Sequence, residues 1–118
     1  MPSEIVTTDR ENVARFADMF AAIGSEWRLR VLRLLLAAHP HGLVAGEIQA
    51  ELPLSASNLS HHLDKLKNEN LVTVEREGTY LRYRANAPAL QNLLGFLYSE
   101  CCSRSKVVSP SSLRKSCC

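Results

Sequence analysis

Residues 1–100 contain no cysteine. All four thiols, Cys101, Cys102, Cys117 and Cys118, stand near the C-terminus as two adjacent pairs. That distribution excludes the disulfide framework of a small secreted domain. No CxxC spacing is present, which removes the zinc knuckle and the thioredoxin-like redox pair. No apolar run approaches the ~20 residues needed to span a bilayer. The start, MPSEIVTTDREN, lacks the charged-then-apolar pattern of a signal peptide. The expectation is a cytoplasmic protein with no membrane partner. There are no internal repeats and no glycine-rich phosphate loop.

A strong excess of basic charge is also missing. The net charge is +2, and it is unevenly spread. Residues 101–118 hold Arg104, Lys106, Arg114 and Lys115 and no acid, so residues 1–100 carry −2. Any nucleic-acid contact must come from a local patch rather than from the overall field. What is present is ordinary for a folded domain: 118 residues, of which 46% are hydrophobic and 22% charged. One domain is expected over residues 1–102. The Ser-rich, basic, Pro-interrupted stretch 103–118 reads as a flexible tail.

Hydrophobic spacing predicts mostly helix. Thr8 can cap a first helix running to about Ile23, with Val13, Phe16, Ala17 and Phe20 on one apolar stripe. Gly24 breaks it. Ser25 can cap a second helix, EWRLRVLRLLLAA, with Trp27, Val31, Leu34 and Leu35 inward and Arg28, Arg30 and Arg33 largely outward. His39-Pro40-His41-Gly42 is a turn. A short third helix spans Val44 to Leu52 and stops before Pro53. Ser55 is the cap of a fourth helix, with Leu59, Leu63 and Leu66 on one face and Ser57, His61, Asp64 and Asn68 on the other. Leu71–Glu75 and Thr79–Ala85 are strand-like, joined at Glu77-Gly78. A last helix begins near Pro88 and carries an apolar stripe from Leu90 to Cys101.

Helix, turn, helix, then basic hairpin is the order of a winged helix-turn-helix. The fold class is therefore mainly α with a β-hairpin wing. The second helix of such a pair enters the major groove with its N-terminal residues at base edges. Ser57, Asn58, Ser60 and His61 occupy that region, with Lys65 further along. Hydroxyls, amides and imidazoles suit base edges or phosphates, whereas strong guanine contacts need Arg or Lys. Modest direct readout is the expectation, supplemented by backbone contacts and shape. Arg76, Arg82 and Arg84 make the hairpin basic, and alternation puts Arg82 and Arg84 on one face. Neighbouring His61 and His62 diverge by roughly 100° on a helix and would chelate a metal poorly.

The segments SEWRLRVLRLL, LPLSASNLSHHLDKLKNENLV and EREGTYLRYR resemble the ArsR/SmtB bacterial repressors over about residues 10–100. The resemblance implies a homodimeric winged-helix repressor of operator DNA, with the first and last helices forming the dimer core. It also implies that binding of a metal or metalloid weakens the hold on DNA. Two departures matter. Arsenic-sensing members often carry Cys-Val-Cys at the start of the third helix, where this chain has Leu43-Val44-Ala45-Gly46-Glu47. Zinc-sensing members carry Asp and His on the last helix, and ALQNLLGFLYSECC has neither.

The inducer site must then be argued from the thiols. Adjacent cysteines suit a soft ligand held in a small chelate. Cys101 and Cys102 supply two thiolates, and Cys117 or Cys118 is the possible third. Arsenite or antimonite makes three bonds and would need that third sulfur. Methylarsenite has one valence filled by carbon and needs only two. The expectation is a repressor with no intrinsic cofactor, released by a trivalent arsenical at Cys101-Cys102. Zinc would take four ligands, so a zinc sensor requires all four cysteines. A thiol-redox-sensing repressor is the nearest alternative. A small thiol oxidoreductase fits poorly, because nucleophilic thiolates favour helix N-termini and this pair follows a helix end.

Overall fold

Serine and asparagine side chains open three of the helices. A computed structural model describes residues 2–104, with side chains from Arg10 onward. Helix α1 (Pro2–Ile23) stops at Gly24, whose N–H donates to the carbonyls of Phe20 and Ala21. The Ser25 hydroxyl accepts from the Arg28 amide at 3.5 Å and starts α2 (Glu26–Ala37). Ser55 does the same for α4 (Ala56–Asn68), accepting from the Asn58 amide at 3.1 Å. Asn86 opens α5 (Ala87–Tyr98), accepting from the Ala89 amide at 3.2 Å. Each cap satisfies an amide that the first turn leaves without a partner.

Between α2 and α4 lie a short strand β1 (Leu43–Val44) and helix α3 (Ala45–Glu51). After α4 come β2 (Val72–Glu77) and β3 (Tyr80–Ala85). The sheet is antiparallel with order β1-β3-β2. Five helices and this three-stranded sheet make a winged helix-turn-helix, as the residue order implied.

The core forms where apolar faces of all these elements converge. Leu59, Leu63 and Leu66 of α4 are fully buried, with Val31 and Leu35 of α2, Ile48 of α3 and Leu93 of α5. Burying a leucine of this kind stabilises by about 1.5–3 kcal/mol. No helix among the described residues is long and apolar enough to cross a membrane.

Several local expectations need correction. Helix α1 begins at Pro2, so Thr8 lies inside it and is not a cap. Its buried face is Phe16, Met19 and Ala22, while Val13, Ala17 and Phe20 of the expected stripe are exposed. Arg28 is not simply outward, because its Nε donates to the Ala22 carbonyl at 2.6 Å and ties α2 to the end of α1. Val44 belongs to a strand rather than to α3. The hairpin turns at Gly78-Thr79, since Glu77 pairs with Tyr80. Gly78 has φ 63, a conformation that glycine adopts at no steric cost. Helix α5 ends at Tyr98, so Cys101 and Cys102 lie in the turn beyond it and not on its apolar stripe.

Candidate nucleic-acid interface

The linker between α3 and α4 is short and held at both ends. The Leu54 amide donates to the Leu52 carbonyl across Pro53 at 2.8 Å. Gln49 Nε2 of α3 donates to the Leu54 carbonyl at 3.3 Å. These contacts fix the angle at which α4 leaves α3. With its three leucines locked into the core, α4 can only present its opposite face outward. Ser57, Asn58, Ser60 and His61 are all exposed on its N-terminal half, as expected of a reading helix.

Lys65 is placed differently. It sits in the last turn of α4, beside a cavity of about 310 Å³ that Asp18 and Arg28 also line. It thus stands at the α1 end of the helix, away from the base-reading turn. Lys65 and Lys67 both complement the negative end of the α4 dipole. His62 is half-buried, and its Nδ1 is buried without a partner among the described residues. Burial, then the Arg28 guanidinium and the His61 ring, lower its pKa. Burial, then Asp64, raises that of Tyr83 and keeps its phenol neutral.

The wing sorts its three arginines onto two faces. Strand register pairs Thr73 with Arg84, Glu75 with Arg82 and Glu77 with Tyr80 on one side. The other side carries the pairs Val72–Ala85, Val74–Tyr83 and Arg76–Leu81. Arg82 and Arg84 share a face, as alternation required, but carboxylates share it too. Arg82 Nε donates to both carboxylate oxygens of Glu77 at 2.9 Å, and Arg84 Nη1 donates to Glu75 at 3.4 Å. The Arg82 side chain is only 14% exposed. Arg76 lies on the opposite face, exposed and with no ion pair among the described residues. Reading charge along the sequence missed Glu75 and Glu77 as partners. Their i, i+2 spacing opposite Arg82 and Arg84 was the available signal.

The thiols form a separate locale. Cys101 is half-buried and Cys102 exposed, in a turn where the Cys101 amide donates to the Tyr98 carbonyl at 2.8 Å. Cys102 has φ 58, which a non-glycine residue rarely adopts. The two Sγ atoms are 3.7 Å apart. Cys102 is a free thiol, while Cys101 is disulfide-bonded. No group of three or more metal-ligating side chains gathers among the described residues. Cys117 and Cys118 lie outside those residues.

A family model described as a helix-turn-helix domain matches residues 23–75. The transcriptional repressor SdpR of Bacillus subtilis is 29% identical over 80 residues, covering 68% of this chain and 86% of that protein. The transcriptional activator HlyU of Vibrio cholerae is 29% identical over 92 residues, 78% of this chain and 82% of that one. The solved structure of reduced HlyU aligns at 32% identity with a TM-score of 0.61, covering 77% of this chain and 96% of that one. An ArsR-like transcriptional regulator from Rhodococcus sp. RHA1 aligns at 28% identity with a TM-score of 0.65, covering 75% and 81%.

Proposed function

The chain belongs to the ArsR family of helix-turn-helix transcriptional regulators, a DNA-binding regulator and not an enzyme, and from that premise we propose a dimeric operator repressor released through its C-terminal thiols. The observation that carries the DNA reading is the exposed polar start of α4 beside the wing. A dimer is supported by apolar side chains that stand exposed among the described residues. Val13 and Phe20 project from α1, and Leu94 and Leu97 from α5, with Leu97 62% exposed. Pairing these faces would set two reading helices about one DNA turn apart, roughly 34–36 Å.

The inducer in this proposal is a trivalent arsenical at Cys101 and Cys102. The two Sγ atoms stand 3.7 Å apart, and a pyramidal trivalent arsenic would draw them somewhat closer into one small chelate. Methylarsenite condenses with two thiols, forming two As–S bonds and releasing two waters. Arsenite or antimonite needs a third sulfur, for which Cys117 and Cys118 are the candidates. The disulfide on Cys101 must first be reduced, for example by a low-molecular-weight thiol. Because the pair follows α5, a chelate there would rearrange the end of a dimer helix and shift the reading helices out of register. Moving the bound population from 99:1 to 1:99 takes about 5.5 kcal/mol of differential binding, shared between two sites.

A second reading is favoured by one observation. Cys101 is placed in a disulfide, beside a free and exposed Cys102. Thiol oxidation itself would then be the signal. One titration separates the two. Reduced, operator-bound protein is challenged in turn with methylarsenite, arsenite, antimonite, zinc and peroxide, and release is followed by fluorescence anisotropy. Release by arsenicals under reducing conditions supports the first reading. Release by peroxide alone replaces it with the second.

A further inference from the structure

Arg82 is surrounded on three sides. Its Nε donates to both oxygens of Glu77 on β2. Its Nη1 donates to the Gly42 carbonyl at 3.3 Å and lies 3.9 Å from Glu47 Oε1 of α3. Glu47 is itself fixed, accepting from the Val44 amide at 2.9 Å in a capping contact at the start of α3. Gly42 holds φ 78 and presses against β3 so closely that a Cβ there would collide with the Tyr83 carbonyl. One guanidinium thus joins the outer strand of the wing, the loop before β1 and the first turn of α3. Arginine suits this because its rigid fork presents several donors in fixed directions.

A side chain so occupied and so little exposed is poorly placed to meet a phosphate. Arg76 has the opposite character. It stands on the other face of the sheet, exposed and unpaired among the described residues. That face also carries Val72 and Ala85, which are buried in one core cluster with Leu59, Leu63 and Leu66 of α4. Arg76 is therefore on the side of the wing turned toward the reading helix.

We infer that Arg82 is a positioning residue that braces the wing against the helix-turn-helix, and that Arg76 carries the wing's phosphate contact. The inference rests on the DNA-binding reading. It assigns different work to two arginines that look equivalent in the sequence.

The test measures affinity for operator DNA across salt concentrations, with hydroxyl-radical footprints and hydrogen exchange on the free protein. Arg76→Ala should flatten the slope of log K against log salt by about 0.9, the effect of losing one phosphate contact. Arg82→Ala should leave the slope unchanged, lower affinity about tenfold at every salt, and erase only the footprint flanking the α4 site. Glu77→Gln separates the alternatives even if Arg82→Ala folds poorly. If Arg82 were a phosphate contact, freeing it would tighten binding and steepen the slope. As a brace, its release should weaken the flanking footprint and speed exchange over residues 42–47 and 72–85 in the free protein. A slope that falls with Arg82→Ala, or exchange unchanged in Glu77→Gln, would overturn the brace. Wild-type protein that protects no duplex would instead defeat the DNA reading, and the exchange data would still judge the brace.

Discussion

The rings of Phe16 on α1 and Phe96 on α5 meet with centroids 4.5 Å apart and planes tilted by 32°. This contact locks the two terminal helices together inside one chain. It also fixes which of their side chains face outward: Val13 and Phe20 on one helix, Leu94 and Leu97 on the other. Offset aromatic pairs contribute about 0.5–1.5 kcal/mol beyond area burial. Loss of Phe96 should cost about 2–3 kcal/mol, because it is only partly buried.

That arrangement predicts separable effects on assembly and folding. Leu97→Glu should leave helix content and thermal midpoint close to wild type, since Leu97 touches little in the monomer. Sedimentation should show a monomer, and operator affinity should drop at least a hundredfold. A dimer that survives Leu97→Glu combined with Leu94→Glu would remove this face from the interface.

Ser55→Ala should destabilise the chain by about 1 kcal/mol through loss of the cap on α4. For a domain of this size that lowers the thermal midpoint by about 4–8 °C. Operator affinity should fall as well, because the capped turn also presents Ser57 and Asn58. Ser55→Asp should restore most of both quantities. Calorimetry and a mobility-shift titration on the same samples would check the pair.

His62 gives stability a dependence on pH. Burial and nearby Arg28 hold its folded pKa below the ordinary 6.5, so the unfolded chain takes up this proton first as pH falls. Stability is complete above pH 6.5 and declines from there down to the lowered folded value. Urea midpoints measured across that window should fall for wild type and flatten for His62→Gln. An equally steep decline in the variant would assign the acid limb to other groups.

Cys101→Ser and Cys102→Ser should each retain operator binding while losing arsenical-driven release. Replacing Cys117 and Cys118 by serine should spare the methylarsenite response if two sulfurs suffice. Its loss would bring a third ligand from that pair.

Local chemistry was legible in the sequence, and long-range pairing was not. Ser25 and Ser55 announced their helices because capping depends on residues three positions apart. Leu59, Leu63 and Leu66 announced their burial because helical spacing is periodic. Strand β1 was invisible, since two residues carry no pattern and their partners, Tyr83 and Arg82, lie far along the chain. Arg82 looked like a surface cation because its acids become neighbours only after the strands align. Val13 and Phe20 read correctly as apolar, yet their cover is not supplied by this chain's own described residues.

The pairing of Arg82 and Arg84 with Glu75 and Glu77 has a kinetic consequence. Interleaved opposite charges cancel within a few ångströms, so this face of the wing projects almost no field beyond the ionic atmosphere. A duplex of arbitrary sequence would then be drawn in only feebly by this face at long range. Such a face would add little to the speed of capture, and would do equally little to hold the protein on the vast excess of irrelevant sites. Discrimination would come from what fits on contact rather than from what attracts at a distance.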